Sequence, residues 1–426
     1  MHTAVIGGGA AGMAAAIAAA ERGRRVTVLE RNRRPLKKLG VTGNGRGNVL
    51  NSGEPVYYGG RDFALRVLDA VPYARLVSFF DALGVSLTEE AGGRVYPAAL
   101  LAGVVVDALN LRAAALGVRV LPGVRVVSLC RACGNGFSME AVESVYGEPG
   151  RKKGRKDAAG LLVEERPLRL EADRVIVAAG GAAAPAHGTD GNGYSLLTAF
   201  GHSLTPLRPA LCALRTDPAP LAGLSGQRVR ARLTLLDEAG QPVHETRGEA
   251  LFAEDGVSGI AAMQLARFGS RGCTLRMDLR EALMGARASG GDALSWLQRR
   301  SGTRRAMPLR DLLTGAASPA VAKAILRAAG LEALSRPIGT LDASDWKAVA
   351  GAIEAFSLPV LGTRGFAAAQ VTAGGISTSE FNPATMESRL VPGLYAAGEV
   401  LDVDGDCGGH NLAFAFASGL LAGASG

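Results

Sequence analysis

Residues 3–30 read TAVIGGGAAGMAAAIAAAERGRRVTVLE, and the order of strand, glycines, helix and strand within that stretch decides the fold. Residues 3–6 are a short apolar run suited to a strand buried in a parallel sheet. Gly7, Gly9 and Gly12 follow at the spacing G-x-G-x-x-G, just where the strand must turn into an Ala-rich helix ending near Gly23. The three glycines serve different ends. Gly7 allows the tight turn, Gly9 the close approach of backbone to a pyrophosphate, and Gly12 the close packing of helix on sheet. The helix N-terminus adds free N–H groups and the positive end of its dipole. A second strand over 25–29 ends on Glu30, whose carboxylate is placed to accept from a ribose hydroxyl. With 58 glycines in 426 residues a lone G-x-G-x-x-G is weak; here strand, turn, helix, strand and terminal acid agree, and they spell an FAD site.

Outward from this unit, residues 39–52 (LGVTGNGRGNVLNS) form an irregular loop with many free N–H groups and one cation, Arg46, suited to an anionic or polar ligand. Residues 63–83 and 104–116 carry apolar side chains at helical spacing, with Gly84 and Gly117 where C-caps belong. Between them EEAGGRVYP (89–97) reads as a turn with a hairpin. Strands over 118–141 and 160–170 flank a basic turn and make a β-meander. Residues 172–181 (ADRVIVAAGG) give a further buried strand ending on a glycine pair, on the far side of the first strand. A loop at 188–202 leads into a helix capped by Asp190 or Asn192.

From 205 to 276 the pattern changes to short alternating runs, an antiparallel barrel or sandwich, and from 279 to 355 to amphipathic helices. The opening style then returns in AQVTAGGI (369–376), GLYAAGEVLD (393–402) and a Gly-rich loop feeding a helix that starts near Asn411. A second helix N-terminus aimed at the same site suits the pyrimidine edge of a reduced flavin, with Glu399 or Asp402 near the ribityl chain. The expected fold is therefore α/β: a Rossmann-like FAD-binding domain of the two-dinucleotide type over 1–195 and 366–426, a β-barrel insert over 196–278 and 335–365, and a small helical domain over 279–334.

Composition excludes several classes. Hydrophobic residues at 48% and charged ones at 20% describe a soluble globular protein. The net charge of +8 is spread along the chain, and its densest run, RKKGRK at 151–156, lacks interleaved aromatics, so it reads as a solvated turn and not a nucleic-acid surface. Five scattered cysteines fit a reducing cytoplasm; the N-terminus enters its first strand at once, which leaves no room for a signal peptide, and no apolar run reaches the length of a membrane span. Cys130 and Cys133 form a C-x-x-C after a strand, the wrong place for a redox pair. Asp402, Asp404 and Asp406 alternate as in a calcium loop, but Cys407 stands where glycine is needed and Ala413 where the last ligand belongs, so no metal is expected.

AVIGGGAAG, TGNGRGN, VTAGGIS, GLYAAGEVLD and GGHNLAFAFASG, in that order, resemble the YhiN/BaiN-like family of FAD-dependent oxidoreductases across essentially the whole chain. The family includes bile-acid-inducible reductases and aminoacetone oxidases. The resemblance implies FAD contacts at Gly7, Gly9, Ala11, Gly12, Glu30, Arg31, Lys38, Thr42, Gly43, Gly45, Arg46, Asn48, Gly180, Gly398, Asp402, Gly409, Asn411 and Leu412. Two positions depart from it: Gly47 replaces the Cys of G-R-C-N, and His410 the Tyr of G-G-Y-N.

The expected chemistry is that of a reductase, with NAD(P)H as a transient co-substrate and hydride passing from flavin to an activated C=C of a small molecule, such as a steroid-like enone. The alternatives are an oxidase of a small amine or amino-ketone using oxygen, a flavin-dependent RNA-modifying or RNA-binding protein, and a non-catalytic flavin sensor. His410 is the candidate acid and Cys407 a candidate redox thiol; His202 reads as structural.

Overall fold

The computed structural model describes residues 1–132, 136–147, 162–285 and 291–426. The basic run at 151–156 and Cys133 of the C-x-x-C lie outside these residues. The chain divides into two compact units, residues 1–208 with 371–426, and residues 209–370.

In the first unit, a five-stranded parallel sheet takes the order Leu394–Ala396, Arg174–Val177, His2–Ile6, Arg25–Glu30, Arg119–Pro122. The strand His2–Ile6 is central because its last four residues are buried on both faces. Helix α1 (Ala10–Glu21) is buried continuously from Ala11 to Ala19. Small side chains predominate in it, and the two large ones, Met13 and Ile17, are buried as well. The meander of Val124–Arg131, Phe137–Tyr146 and Leu162–Ala172 is antiparallel, and the first strand read within 118–141, Arg119–Pro122, joins the parallel sheet instead.

The helical span at 63–83 is in fact two helices, α2 (Arg61–Ala70) and α3 (Tyr73–Ala82). Pro72 explains the break. It has no N–H to continue α2, and it holds the extended backbone that precedes α3. Leu87–Glu90 and Arg94–Pro97 make the hairpin expected at 89–97, and α4 (Ala102–Ala115) follows. The N-cap of α5 (Asn192–Thr198) is Gly191, in the left-handed region at φ 81°, and not Asp190 or Asn192. Asp190 instead turns its carboxylate to the N–H of Asn192, 3.2 Å away.

In the second unit, six strands close into a barrel: Leu214–Thr216, Gly256–Ser258, Pro242–Ala253, Arg228–Leu236, Thr274–Asp278 and Phe356–Thr363. One short helix, α6 (Ile260–Leu265), interrupts a region whose pattern reads as strand throughout; Gly259 at φ 89° makes the turn into it. The helices α7 (Arg280–Met284), α8 (Ala293–Ser301), α9 (Pro319–Ala328) and α10 (Ala343–Glu354) follow. Side chains cap the last three of these, Asp292, Ser318 and Asp342 respectively.

The chain re-enters the first unit through Val371–Ala373 and ends in α11 (His410–Ser425). No helix among the described residues is long and apolar enough to cross a membrane.

Candidate cofactor site

Two helix N-termini organise the site, and glycines bring them together. Gly7 sits at φ 104°, and a Cβ on it would strike the carbonyl of Ala178 on the adjoining strand end. A Cβ on Gly12 would strike the Gly7 carbonyl. Gly9 differs. It is the N-cap of α1, with φ −80° and no side-chain cap, and a Cβ on it meets no described atom within 4 Å. The first two glycines are thus demanded by protein packing, while the third faces open space beside unpartnered helix N–H groups. That is the cradle an anionic pyrophosphate needs.

Glu30 closes the turn. It is 6% exposed, and its carboxylate accepts from the N–H of Gly8 and from the N–H and side-chain amide of Asn32, each at 2.7 Å. An amide at this position would turn N–H against N–H. We expect Glu30→Gln to lose about 2 kcal/mol in denaturant unfolding of the flavin-free protein, the scale of charge-assisted bonds left unmade; unchanged unfolding would refute this role.

The segment after Glu30 is fastened to the loop at 183–190. Arg31 pairs with Asp190, Asn32 donates to the carbonyl of His187 at 3.3 Å, and Lys37 to that of Ala186 at 2.8 Å. Lys38 pairs with Glu399 at 2.7 Å. Glu399 in turn accepts from the N–H of Thr372 at 2.9 Å, and the Thr372 hydroxyl accepts from the N–H groups of Ala182 and Ala183. The sequence marks neither Asn32 nor Thr372, inside VTAGGIS, as a site residue; the fold shows that they brace the segment at 180–190.

The loop at 39–48 is a 3₁₀ segment, Leu39–Gly45, kinked at Thr42, Gly43 and Asn44. Its cation does not stand alone: Arg46 pairs with Glu90 and lies over the Tyr96 ring at 4.5 Å. Asn48 donates to the carbonyls of Leu50 and Val95. At Gly47, φ is 76° and a Cβ would sit 2.9 Å from the Ala102 Cα, so the cysteine found here in the resembling motif has no room.

Helix α11 brings the second N-terminus. Its N-cap, Gly409, has φ 104°, no side chain to cap with, and a Cβ position already taken by the Leu50 carbonyl. Asn411 exchanges two hydrogen bonds of 2.8 Å with the backbone of Gly405. The carbonyl of Asp402 accepts from Gly60 at 2.6 Å. Gly398 (φ 75°) leaves room for Ala11, whose Cβ would stand 2.8 Å from one placed on it. Further along, Cβ atoms on Gly419 and Gly423 would collide with the carbonyls of Ala11 and Ala15. The two helices therefore run parallel. Since His410 precedes Gly419 by nine residues and Ala10 precedes Ala11 by one, α11 begins about 12 Å further out than α1, at 1.5 Å per residue. Gly180, at φ 76°, lies in the turn after the strand Arg174–Val177, and Leu412 packs against the core.

His410 is 7% exposed, and burial lowers its pKa, with Asp406 opposing. The Cys407 thiol is pushed up by burial, which keeps it protonated. His202 sits between Glu380 (2.8 Å) and Ser388 (2.9 Å), an order that mimics a hydrolase triad. Yet the Ser388 oxygen accepts from the N–H groups of Leu390 and Val391 and is buried. The trio pins a loop, in keeping with a structural histidine.

Residues 1–425 match the family described as HI0933-like protein Rossmann domain. The chain belongs to the HI0933-like family. The 3-dehydro-bile acid delta(4,6)-reductase of Clostridium scindens is 33% identical over 98% of this chain and 97% of its own. The ribosomal RNA dihydrouridine synthase of Escherichia coli is 25% identical, over 97% and 95%. A 3-ketosteroid delta1-dehydrogenase from Sterolibacterium denitrificans shares the fold, with a TM-score of 0.50 at 13% identity over 99% of this chain and 98% of that one. This HI0933-like chain is thus a flavoprotein and an oxidoreductase, with a Rossmann-type FAD-binding domain, a closed six-stranded barrel and a helical region. The open face of Gly9 and the two uncapped helices fit that cofactor.

Proposed function

We propose that the chain is a cytoplasmic FAD-dependent reductase that saturates a C=C bond conjugated to a carbonyl, in a small steroid-like enone, with NAD(P)H as electron donor. The observation that carries the reading is the 33% identity, end to end, with a bile acid delta(4,6)-reductase. The more distant relative supports the same chemistry: the double bond lost in forming dihydrouridine is also conjugated to a carbonyl. The higher identity favours the small molecule over RNA.

Bound FAD would supply the hydride and be recharged by the nicotinamide, which has no dinucleotide motif of its own and so binds transiently. The chain's own residues would do the rest. The N–H groups at the start of α1, beside Gly9, would hold the pyrophosphate, and Glu30 a ribose. The start of α11, at Gly409, Asn411 and Leu412, would face the pyrimidine edge and stabilise negative charge there. Gly180, Gly398 and Asp402 would line the middle, with Arg31, Lys38, Thr42, Gly43, Gly45, Arg46 and Asn48 along one side.

The test is an anaerobic absorbance titration. NADH or NADPH is expected to bleach the flavin, and a 3-keto-4-ene steroid to restore it mole for mole, or a 4,6-diene up to two flavins per steroid, with one C=C saturated per flavin reoxidised by mass spectrometry. Reoxidation by oxygen alone, with no enone consumed, would overturn the reading in favour of an oxidase; dihydrouridine formed in ribosomal RNA would overturn the choice of substrate.

A further inference from the structure

A cavity of about 190 Å³ lies against α2 and α3, its wall apolar on one side (Leu65, Leu68, Pro72, Leu76, Ala413) and polar on the other (Asn51, Ser52, Tyr57, His410). The histidine is more than nine-tenths buried, and its ring makes no hydrogen bond to a described residue; only its backbone carbonyl is engaged, by the Tyr57 hydroxyl at 2.7 Å. The ring nitrogens keep accessible surface at the cavity, and such groups are paired in native structures by protein, water or ligand. At 100° per residue, His410 stands half a turn of the helix wheel from Gly419, so it faces away from α1. The cavity is therefore distinct from the pyrophosphate cradle.

The lining selects its occupant. Its volume is comparable to that of cavities that hold a single aromatic ring. The wall has no cation, and its single charge, Asp69, repels anions. Burial keeps His410 neutral, with one N–H to give and one lone pair to accept.

We propose that this cavity binds an uncharged six-membered ring bearing one carbonyl or hydroxyl oxygen, with His410 as the hydrogen-bond partner of that oxygen. The site stands on its own geometry, independently of the reductase reading. The test uses the full-length protein with its flavin, titrated calorimetrically with phenol and cyclohexanol, and with benzoate and toluene as comparators. Phenol and cyclohexanol are expected to bind one per chain, toluene about tenfold more weakly for want of the hydrogen bond, and benzoate not at all. His410→Phe should weaken phenol about tenfold, and Ala413→Leu should abolish binding by filling the space. Nitrogen-15 spectra of the wild-type imidazoles, only five in the chain, should show one ring shifting with phenol, a reading independent of how the variants fold. No saturable binding up to about 10 mM, equal binding of benzoate, or an unmoved His410 ring would overturn the proposal.

Discussion

Gly9→Val is expected to fold as the parent does and to purify nearly free of flavin. The backbone at Gly9 has φ −80° and ψ −171°, open to any L-residue, and the added Cβ meets no described atom within 4 Å. The folding cost is thus confined to a poorer N-cap, about 1 kcal/mol. What the side chain fills is the space against α1's free N–H groups. Losing one or two charge-assisted hydrogen bonds there costs about 3 kcal/mol, or about 100-fold in flavin affinity. Gly12→Val should behave differently, because its Cβ strikes the Gly7 carbonyl within the protein; both stability and flavin are lost. The comparison needs the flavin-free forms, since bound cofactor itself raises the melting temperature. A Gly9→Val protein with normal flavin absorbance per chain would remove the pyrophosphate from α1.

The second large effect is expected at the α1–α11 contact. Leucine at Gly419 or at Gly423 has to displace the backbone of Ala11 or Ala15, between two helices that are both buried there. Overpacking of this kind costs about 3 kcal/mol. In a unit of this size that lowers the melting temperature by about 6–12 °C. Flavin should be lost as well, because both N-termini move. A Gly423→Leu variant melting within about 2 °C of the parent would show that the helices can part without consequence.

The fold was legible where one physical signal dominates. The apolar run at 3–6, the three spaced glycines and the terminal Glu30 leave few alternatives to a parallel strand–helix–strand unit. Alternation at 228–236 and 242–253 likewise announces antiparallel strands. Where two signals compete, the sequence misleads: the apolar spacing at 63–83 continues through Pro72, but the missing N–H ends the helix there. Asp190 and Asn192 are good capping residues, yet the left-handed Gly191 between them takes the position.

The candidate site was legible in part for the same reason. Glycines announce themselves because each is needed for a turn or a close approach. Ion-pair partners do not. Nothing near Arg46 in the sequence points to Glu90, nor anything near Lys38 to Glu399, since these pairs form only after strands far apart in the chain are assembled. His410 was visible as a histidine at a helix start, but its orientation away from α1 follows from the helix phase set by Gly419 and Gly423.

That pairing of glycines with Ala11 and Ala15 also works as a gauge. The separation of the two positive helix ends is written in residues 10–15 and 410–423 alone, as a count of residues along a rigid rod. Loops, barrel and helical region can all be rebuilt by mutation without stretching or shortening it. A single residue inserted between Gly409 and Gly419, by contrast, would swing the cap of α11 through about 100° and cost it its aim.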